Sequence, residues 1–266
     1  MSLTDTHCHL DFPDFDADRA AVLAAARARS VGRFIIPAVG EQNWSQVMAL
    51  TNPAAGLYGA LGIHPLFAAS QSPGAVERLA DLLATRPEGV IAIGECGLDR
   101  RSSVEQTGQL ALFEAQLELA EQRCLPLLIH SVRANDTVAS LLKRRRLPAG
   151  GIIHAFSGSL VQAERFWALG FCLGIGGTIT YERANKTREA VAAMPWASLL
   201  LETDAPDMPL SGHQGERNTP AHLPEVLSTL AELKGVTAQQ AAELTYQNSV
   251  RLFPQMAADG SGRGSN

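Results

Sequence analysis

Asp5-Thr6-His7-Cys8-His9 places two imidazoles one residue apart, directly after a short apolar start. Side chains on an extended chain alternate with period two, so His7 and His9 face one side and can hold a single metal ion between them. Four more residues of metal-binding type follow in order: Glu95, His130, His154 and Asp204, each closing its own apolar run. Taken singly, each has a plainer explanation. A lone histidine such as His130 or His154 is commonly a half-buried structural residue, and Asp204 could cap a turn or a helix. A carboxylate ending a run as apolar as Ile91-Ala92-Ile93-Gly94 is different, because an unpaired charge there is costly, which favours a ligand role for Glu95. The coincidence of all of them points to a hydrolytic centre with two metals.

In that arrangement His7, His9 and Asp204 hold one ion, His130 and His154 hold the second, and Glu95 bridges them with its two oxygens. A shared water or hydroxide is the expected nucleophile. Asp204 is placed to take its proton, so Asp204 and Glu95 are the catalytic candidates. Imidazole with carboxylate suits zinc, manganese, iron or cobalt, and magnesium fits where water completes the shell. The expected cofactor is therefore two divalent ions per chain, zinc, manganese or magnesium. His64, in Gly62-Ile63-His64-Pro65, is expected to contact a substrate phosphate rather than metal. Glu202 stands two residues before Asp204, on the same side of an extended chain, and is expected to orient a metal ligand.

These residues need a scaffold that brings strand ends together. Apolar runs at 3–7, 33–39, 57–61, 90–95, 126–130, 151–154, 171–175 and 198–202 are strand candidates. Most are separated by segments with apolar residues at three- and four-residue spacing, such as 19–28, 76–84, 108–123 and 134–146. Eight strands with intervening helices fit a closed parallel (β/α)8 barrel of the TIM type, in which catalytic residues sit at the C-terminal strand ends. A doubly wound open sheet competes, but no GxGxxG turn follows the first strand. A loop at 205–219 is expected to shape the entrance, followed by helices at 220–234 and 237–253. One barrel domain is expected over 1–258, with a Gly- and Ser-rich disordered tail over 259–266.

Composition supports a folded α/β enzyme: 46% hydrophobic and 18% charged residues suit a sizeable core and exclude global disorder. The formal net charge of −5 does not advertise a polyanionic partner, so any nucleic-acid contact must come from local basic groups or bound cations. Lys143-Arg144-Arg145-Arg146 ends a helix pattern on the outer ring and is expected to be a solvated face that meets the negative helix end. Gly174-Ile175-Gly176-Gly177 fits either a phosphate cradle or, equally well, a tight turn after the seventh strand. The cysteines, Cys8, Cys96, Cys124 and Cys172, lack CxxC spacing and are expected to be buried free thiols in a reducing compartment. Neither a signal peptide nor a membrane span is expected, and a cytoplasmic location is. No obligate protein partner is evident.

The ordered set Asp5-Thr-His-Cys-His-Leu-Asp11, Gly62-Ile-His-Pro65, Gly94-Glu-Cys-Gly-Leu-Asp99, His130-Ser131, His154-Ala-Phe-Ser-Gly158 and Glu202-Thr-Asp-Ala-Pro206 resembles the TatD family of metal-dependent deoxyribonucleases, within the amidohydrolase-like barrels. The resemblance spans nearly the whole chain. It implies a (β/α)8 barrel, two divalent metals on His7, His9, Glu95, His130, His154 and Asp204, and exonuclease-like phosphodiester hydrolysis with DNA as substrate. Many amidohydrolases bridge their metals with a modified lysine at strand four, where this chain has Glu95. It departs from the family pattern at Val132, where arginine is usual and Arg133 follows, and at Arg100-Arg101, where an aromatic residue usually stands. Arg100 is therefore a candidate phosphate contact, and Arg217, in Arg217-Asn218-Thr219-Pro220, is another. The same cluster would support hydrolysis of an amide, a lactone or an aminoacyl-tRNA ester. A binding role with a structural metal is the remaining alternative.

Overall fold

The computed structural model describes residues 2–260. Eight strands form one parallel sheet in sequence order: β1 (Leu3–Asp5), β2 (Val31–Pro37), β3 (Leu57–Leu61), β4 (Val90–Asp99), β5 (Leu127–Val132), β6 (Gly151–Ile153), β7 (Phe171–Ile175) and β8 (Leu199–Leu201). The ring closes between β8 and β1. Thr6 N–H donates to the Leu201 carbonyl at 2.9 Å, and buried Asp5 accepts from the Thr203 N–H at 3.0 Å and its hydroxyl at 2.6 Å. Helices α1 (Arg19–Ala28), α2 (Trp44–Leu50), α3 (Ala75–Ala84), α4 (Gln106–Arg123), α5 (Asn135–Leu142), α6 (Leu160–Ala168), α7 (Asn185–Ala193), α8 (Leu223–Lys234) and α9 (Ala238–Leu252) complete a single-domain (β/α)8 barrel.

The helices show why they form. In α3, Ala75, Leu79 and Leu83 are buried at four-residue spacing, one stripe against the strands. Ser159 with Gln162, and Thr237 with Gln240, make reciprocal capping boxes that start α6 and α9.

Strand alternation sets both core and site. Ile35, Tyr58, Ala60, Ile91, Leu128, Ile152, Cys172 and Leu200 pack inside the barrel with Phe253 and Met256, while Phe34, Ile36, Leu127, Ile129, Leu199 and Leu201 belong to the larger layer under the helices. Continuing the inward face two residues along gives His130 after Leu128, His154 after Ile152 and Glu202 after Leu200. The hydrophobic interior thus hands over to ionisable groups at the strand ends.

Several sequence expectations need correction. β4 does not end at Glu95: it runs on to Asp99 past a register shift between Ile93 and Cys96, an irregularity that re-aims side chains. α5 stops at Leu142, so the basic run is a turn beyond the helix, with Lys143, Arg144 and Arg146 exposed to solvent. Cys124 is exposed, unlike the other three cysteines, because it occupies the C-cap of α4 with φ of 53°. Short helical backbone over Pro254–Gly260 is the last described element, and most of the expected tail, 261–266, lies outside the described residues. Among the described residues no helix is long and apolar enough to cross a membrane.

One buried side chain couples the helical layer to the site. Gln116 of α4 accepts from the Ile63 N–H at 2.7 Å and donates to the Ile63 carbonyl at 3.0 Å, pinning the residue before His64. Gln116→Ala should cost about 2–3 kcal/mol, because it strands two buried backbone groups. A urea titration should show a lower midpoint with unchanged slope. A loss below about 0.5 kcal/mol would show that Ile63 is held by other means.

Candidate metal centre

Glu95 is 2% exposed, and its two carboxylate oxygens face different sets of imidazoles. Oε2 lies 3.1 Å from His7 Nε2 and 3.4 Å from His9 Nε2, while Oε1 lies 3.0 Å from His130 Nδ1 and 3.3 Å from His154 Nε2. Asp204 Oδ1 adds to the first set, at 3.6 Å from His7 Nε2 and 3.9 Å from His9 Nε2. Its backbone is left-handed, with φ of 59°, a region that aspartate tolerates better than most residues. His7 also stacks on His154, ring centroids 3.8 Å apart.

Nitrogen and oxygen donors bound at about 2.0–2.2 Å stand roughly 3.0–3.5 Å from one another around an ion, so these spacings suit metal binding. Each Glu95 oxygen joins its own donor group, a division that suits a carboxylate shared between two ions. The hydrogen bonding around the cluster is also incomplete: His7 Nδ1, His9 Nδ1 and Glu202 Oε2 are buried without a partner. The residues present fit divalent ions.

Electrostatics follow from the same crowding. Burial opposes ionisation of Glu95, but His64, His154 and His7 outweigh it and hold its carboxyl well below the usual range. Burial opposes protonation of His154, yet Asp204, Glu95 and Glu202 raise its pKa to about 10. Asp204 is pushed up to about 6, mainly by burial, with His154 and His9 acting against the shift.

Around the donors stands a ring of supporting carboxylates. Glu202, fully buried, accepts from Ala155 N–H at 2.5 Å and lies 3.2 Å from His154 Nδ1. With Glu202 holding the proton on Nδ1, Nε2 is the nitrogen that would ligate an ion in place of its own proton. Asp99 Oδ2 lies 3.1 Å from His130 Nε2, and its other oxygen accepts from the Arg101 and Ser102 N–H groups. His64 is also in the cluster, with Nε2 3.4 Å from Glu95 Oε1. Its Nδ1 accepts from the Leu66 N–H at 3.1 Å, so the neutral ring carries its proton on Nε2 and serves as a donor rather than a metal ligand. Burial, which lowers the His64 pKa, favours that neutral form.

Beside the donors a groove of about 710 Å³ opens, reaching His130, His154 and Asp204 at its inner end. Arg100, Arg101, Arg133, Arg183 and Lys186 line it.

A family model for TatD related DNase matches residues 4–254. The chain belongs to the TatD family. It is 47% identical over 250 residues to the uncharacterized metal-dependent hydrolase YjjV of Escherichia coli (strain K12), covering 94% of this chain and 96% of that one. The crystal structure of that TatD homolog superposes with a TM-score of 0.92 at 46% identity, covering 95% and 98% of the two chains. The chain is also 34% identical over 262 residues to the 3'-5' ssDNA/RNA exonuclease TatD of Klebsiella pneumoniae (strain 342), covering 94% and 97%.

In this TatD-family chain the structure assembles His7, His9, His64, Glu95, His130, His154, Glu202 and Asp204 at one mouth, with Arg100 on the groove wall. Arg217, expected to contact phosphate, is not among the residues that line this groove. Its guanidinium is bidentate on Asp18, at 3.0 and 2.6 Å, and lies over the Phe15 ring, so its donors are committed to the α1 side. Asp99 was missed, although Glu95 and Asp99 are four residues apart and a longer strand would have aligned them. Arg101 stands beside Arg100 in the pair the sequence singled out, whereas Arg183 and Lys186 carried no signal, because only the fold brings them to the groove.

Gly174 has a function that the sequence did not disclose. A Cβ there would sit 1.9 Å from Glu202 Oε2, so only glycine leaves room for that carboxylate. Gly174→Ala should displace Glu202 from His154 and weaken metal retention about 10- to 100-fold, the usual effect of disturbing a group that orients a ligand. Elemental analysis after dialysis checks this. Wild-type metal content in the variant would mean that Glu202 does not fix His154.

Proposed function

We propose that this chain is a two-metal-dependent phosphodiesterase that removes nucleotides from DNA ends, an exonuclease-like deoxyribonuclease. Membership of the TatD family makes metal-dependent hydrolysis the reaction class. The observation that carries the finer reading is the groove: five cationic side chains flank the mouth of the donor cluster in a chain whose net charge is −5. Concentrating cations at one wall of an acidic protein suits a substrate with a phosphate backbone. A neutral amide or lactone would leave those charges without a partner.

His7, His9, Glu95, His130, His154 and Asp204 would hold the ions. When bound, two divalent ions would supply Lewis-acid stabilisation of the developing phosphoryl charge and acidify the attacking water. The rest falls to the chain. Arg100, its guanidinium steadied by a 2.8 Å bond to the Thr137 hydroxyl, would hold a phosphate at the groove wall. His64 would donate its Nε2 proton to a non-bridging phosphate oxygen. Asp204 would take the proton from the water. Glu202 and Asp99 would hold His154 and His130 in their ligating orientations.

The metal-reconstituted protein should degrade end-labelled DNA in a panel of single-stranded DNA, double-stranded DNA, RNA, an aminoacyl-tRNA, a lactone and an amide. Chelation should abolish the activity, and Asp204→Asn should lower kcat about 100-fold or more with the fold retained. Activity on the lactone or amide alone, or nuclease activity indifferent to chelator, would overturn this reading.

A further inference from the structure

The chain has seven histidines, and five of them, His7, His9, His64, His130 and His154, stand at the barrel mouth. The other two meet elsewhere. His213, in the loop after β8, and His222, just before α8, lie with ring centroids 4.4 Å apart and planes 30° from parallel. Glu225, in the first turn of α8, joins them, and one donor atom from each of the three falls within 4.8 Å of the others. We propose that His213, His222 and Glu225 form a separate binding site for a transition-metal ion of the zinc type, clamping the loop after β8 to the start of α8.

Hydrogen bonding presents the right atoms. Asn218 donates through Nδ2 to the carbonyls of Thr203 and Asp207, both at 2.9 Å, which fixes its Oδ1 as an acceptor. His222 Nδ1 lies 3.0 Å from that Oδ1 and must carry the proton, leaving Nε2 as the lone pair. His213 is oriented in the same sense: Nδ1 lies 2.9 Å from Glu216 Oε2, and Nε2 lies 3.2 Å from Glu225 Oε2. An outer acceptor on one ring nitrogen is the usual support of a metal-binding histidine, and at His213 an ion would replace the proton that Nε2 shares with Glu225. The carboxylate of Glu225 is divided too. Its Oε1 takes Arg29 at 3.0 Å, so Oε2 is the oxygen left for an ion. The 3.2 Å spacing between His213 Nε2 and Glu225 Oε2 is that of two donors around one ion at bonds of about 2.0–2.2 Å. Three protein donors, two imidazoles and one carboxylate, leave a position for water, and all are half-exposed, so an ion can enter.

The site would act on the barrel mouth through Asn218. That side chain touches His222 on one side and the carbonyl of Thr203, the neighbour of Asp204, on the other. An ion here would brace the loop from behind without entering the groove. The site does not depend on the phosphodiesterase reading, and it stands or falls on metal binding alone.

Equilibrium dialysis against zinc tests it. Wild-type protein should bind one more zinc per chain than a His213→Gln, His222→Gln double variant, or should bind its last zinc at least about 10-fold more tightly. Glu225→Gln provides a second, milder lesion and should produce the same loss. Glu95→Gln, which damages the barrel mouth, should leave this zinc in place. On wild-type protein, substoichiometric zinc beyond the barrel ions should shift the imidazole ring protons of His213 and His222 in the proton NMR spectrum. Equal zinc stoichiometry and affinity in wild type, the double variant and Glu225→Gln would overturn the proposal, as would unshifted His213 and His222 resonances at saturating zinc.

Discussion

Burying a carboxylate at the top of an apolar barrel is unfavourable unless opposite charge or strong donors surround it. Glu95 meets that condition with five imidazoles: His7 and His9 against Oε2, and His64, His130 and His154 against Oε1. Those five come from four different strand ends, so the barrel must close for the charge to be compensated. Conversely, like-charged imidazoles would repel one another without the carboxylate between them. The cluster is a set of mutually dependent groups, which suits a centre where cations replace protons as the compensating charge.

The next layer explains why the donors hold their orientation. Glu202 faces His154 Nδ1, Asp99 faces His130 Nε2, and Asp5 ties Thr203 to β1 beside Asp204. Each of these carboxylates also accepts backbone N–H groups, so its own position is set by main chain rather than by a flexible partner. Gly174 belongs to the same design, since it clears the space that Glu202 occupies. Precision at the mouth therefore comes from strand register and from the backbone of neighbouring strands. The groove cations, by contrast, stand on loops and helix starts, where a substrate can be reached.

The donor set was legible in the sequence because each member is of a reactive type placed at the end of an apolar run, where the alternation of the strand already implies an inward face. Eight such runs also implied the barrel. Asp99 was not legible, because β4 was expected to end at Glu95 and an irregularity in register leaves no mark in composition. The partners of Arg217 were not legible either, because Asp18 and Phe15, distant in sequence, decide where its guanidinium goes. Cys124 looked as buried as its fellows, and only its place at the end of α4 exposes it. His64 was expected to contact substrate rather than metal, and its tautomer is set by a backbone N–H that sequence cannot show.

On the proposed reading the two oxygens of Glu95 would serve two ions at once, and electron paramagnetic resonance of the manganese-reconstituted protein tests this directly. With two manganese ions per chain sharing one carboxylate, the wild type should give an exchange-coupled spectrum. Glu95→Gln should give only the six-line signals of isolated ions, because a neutral amide leaves the repulsion between two cations uncompensated. Isolated-ion signals alone in the wild type, or a coupled spectrum that persists in Glu95→Gln, would contradict the account.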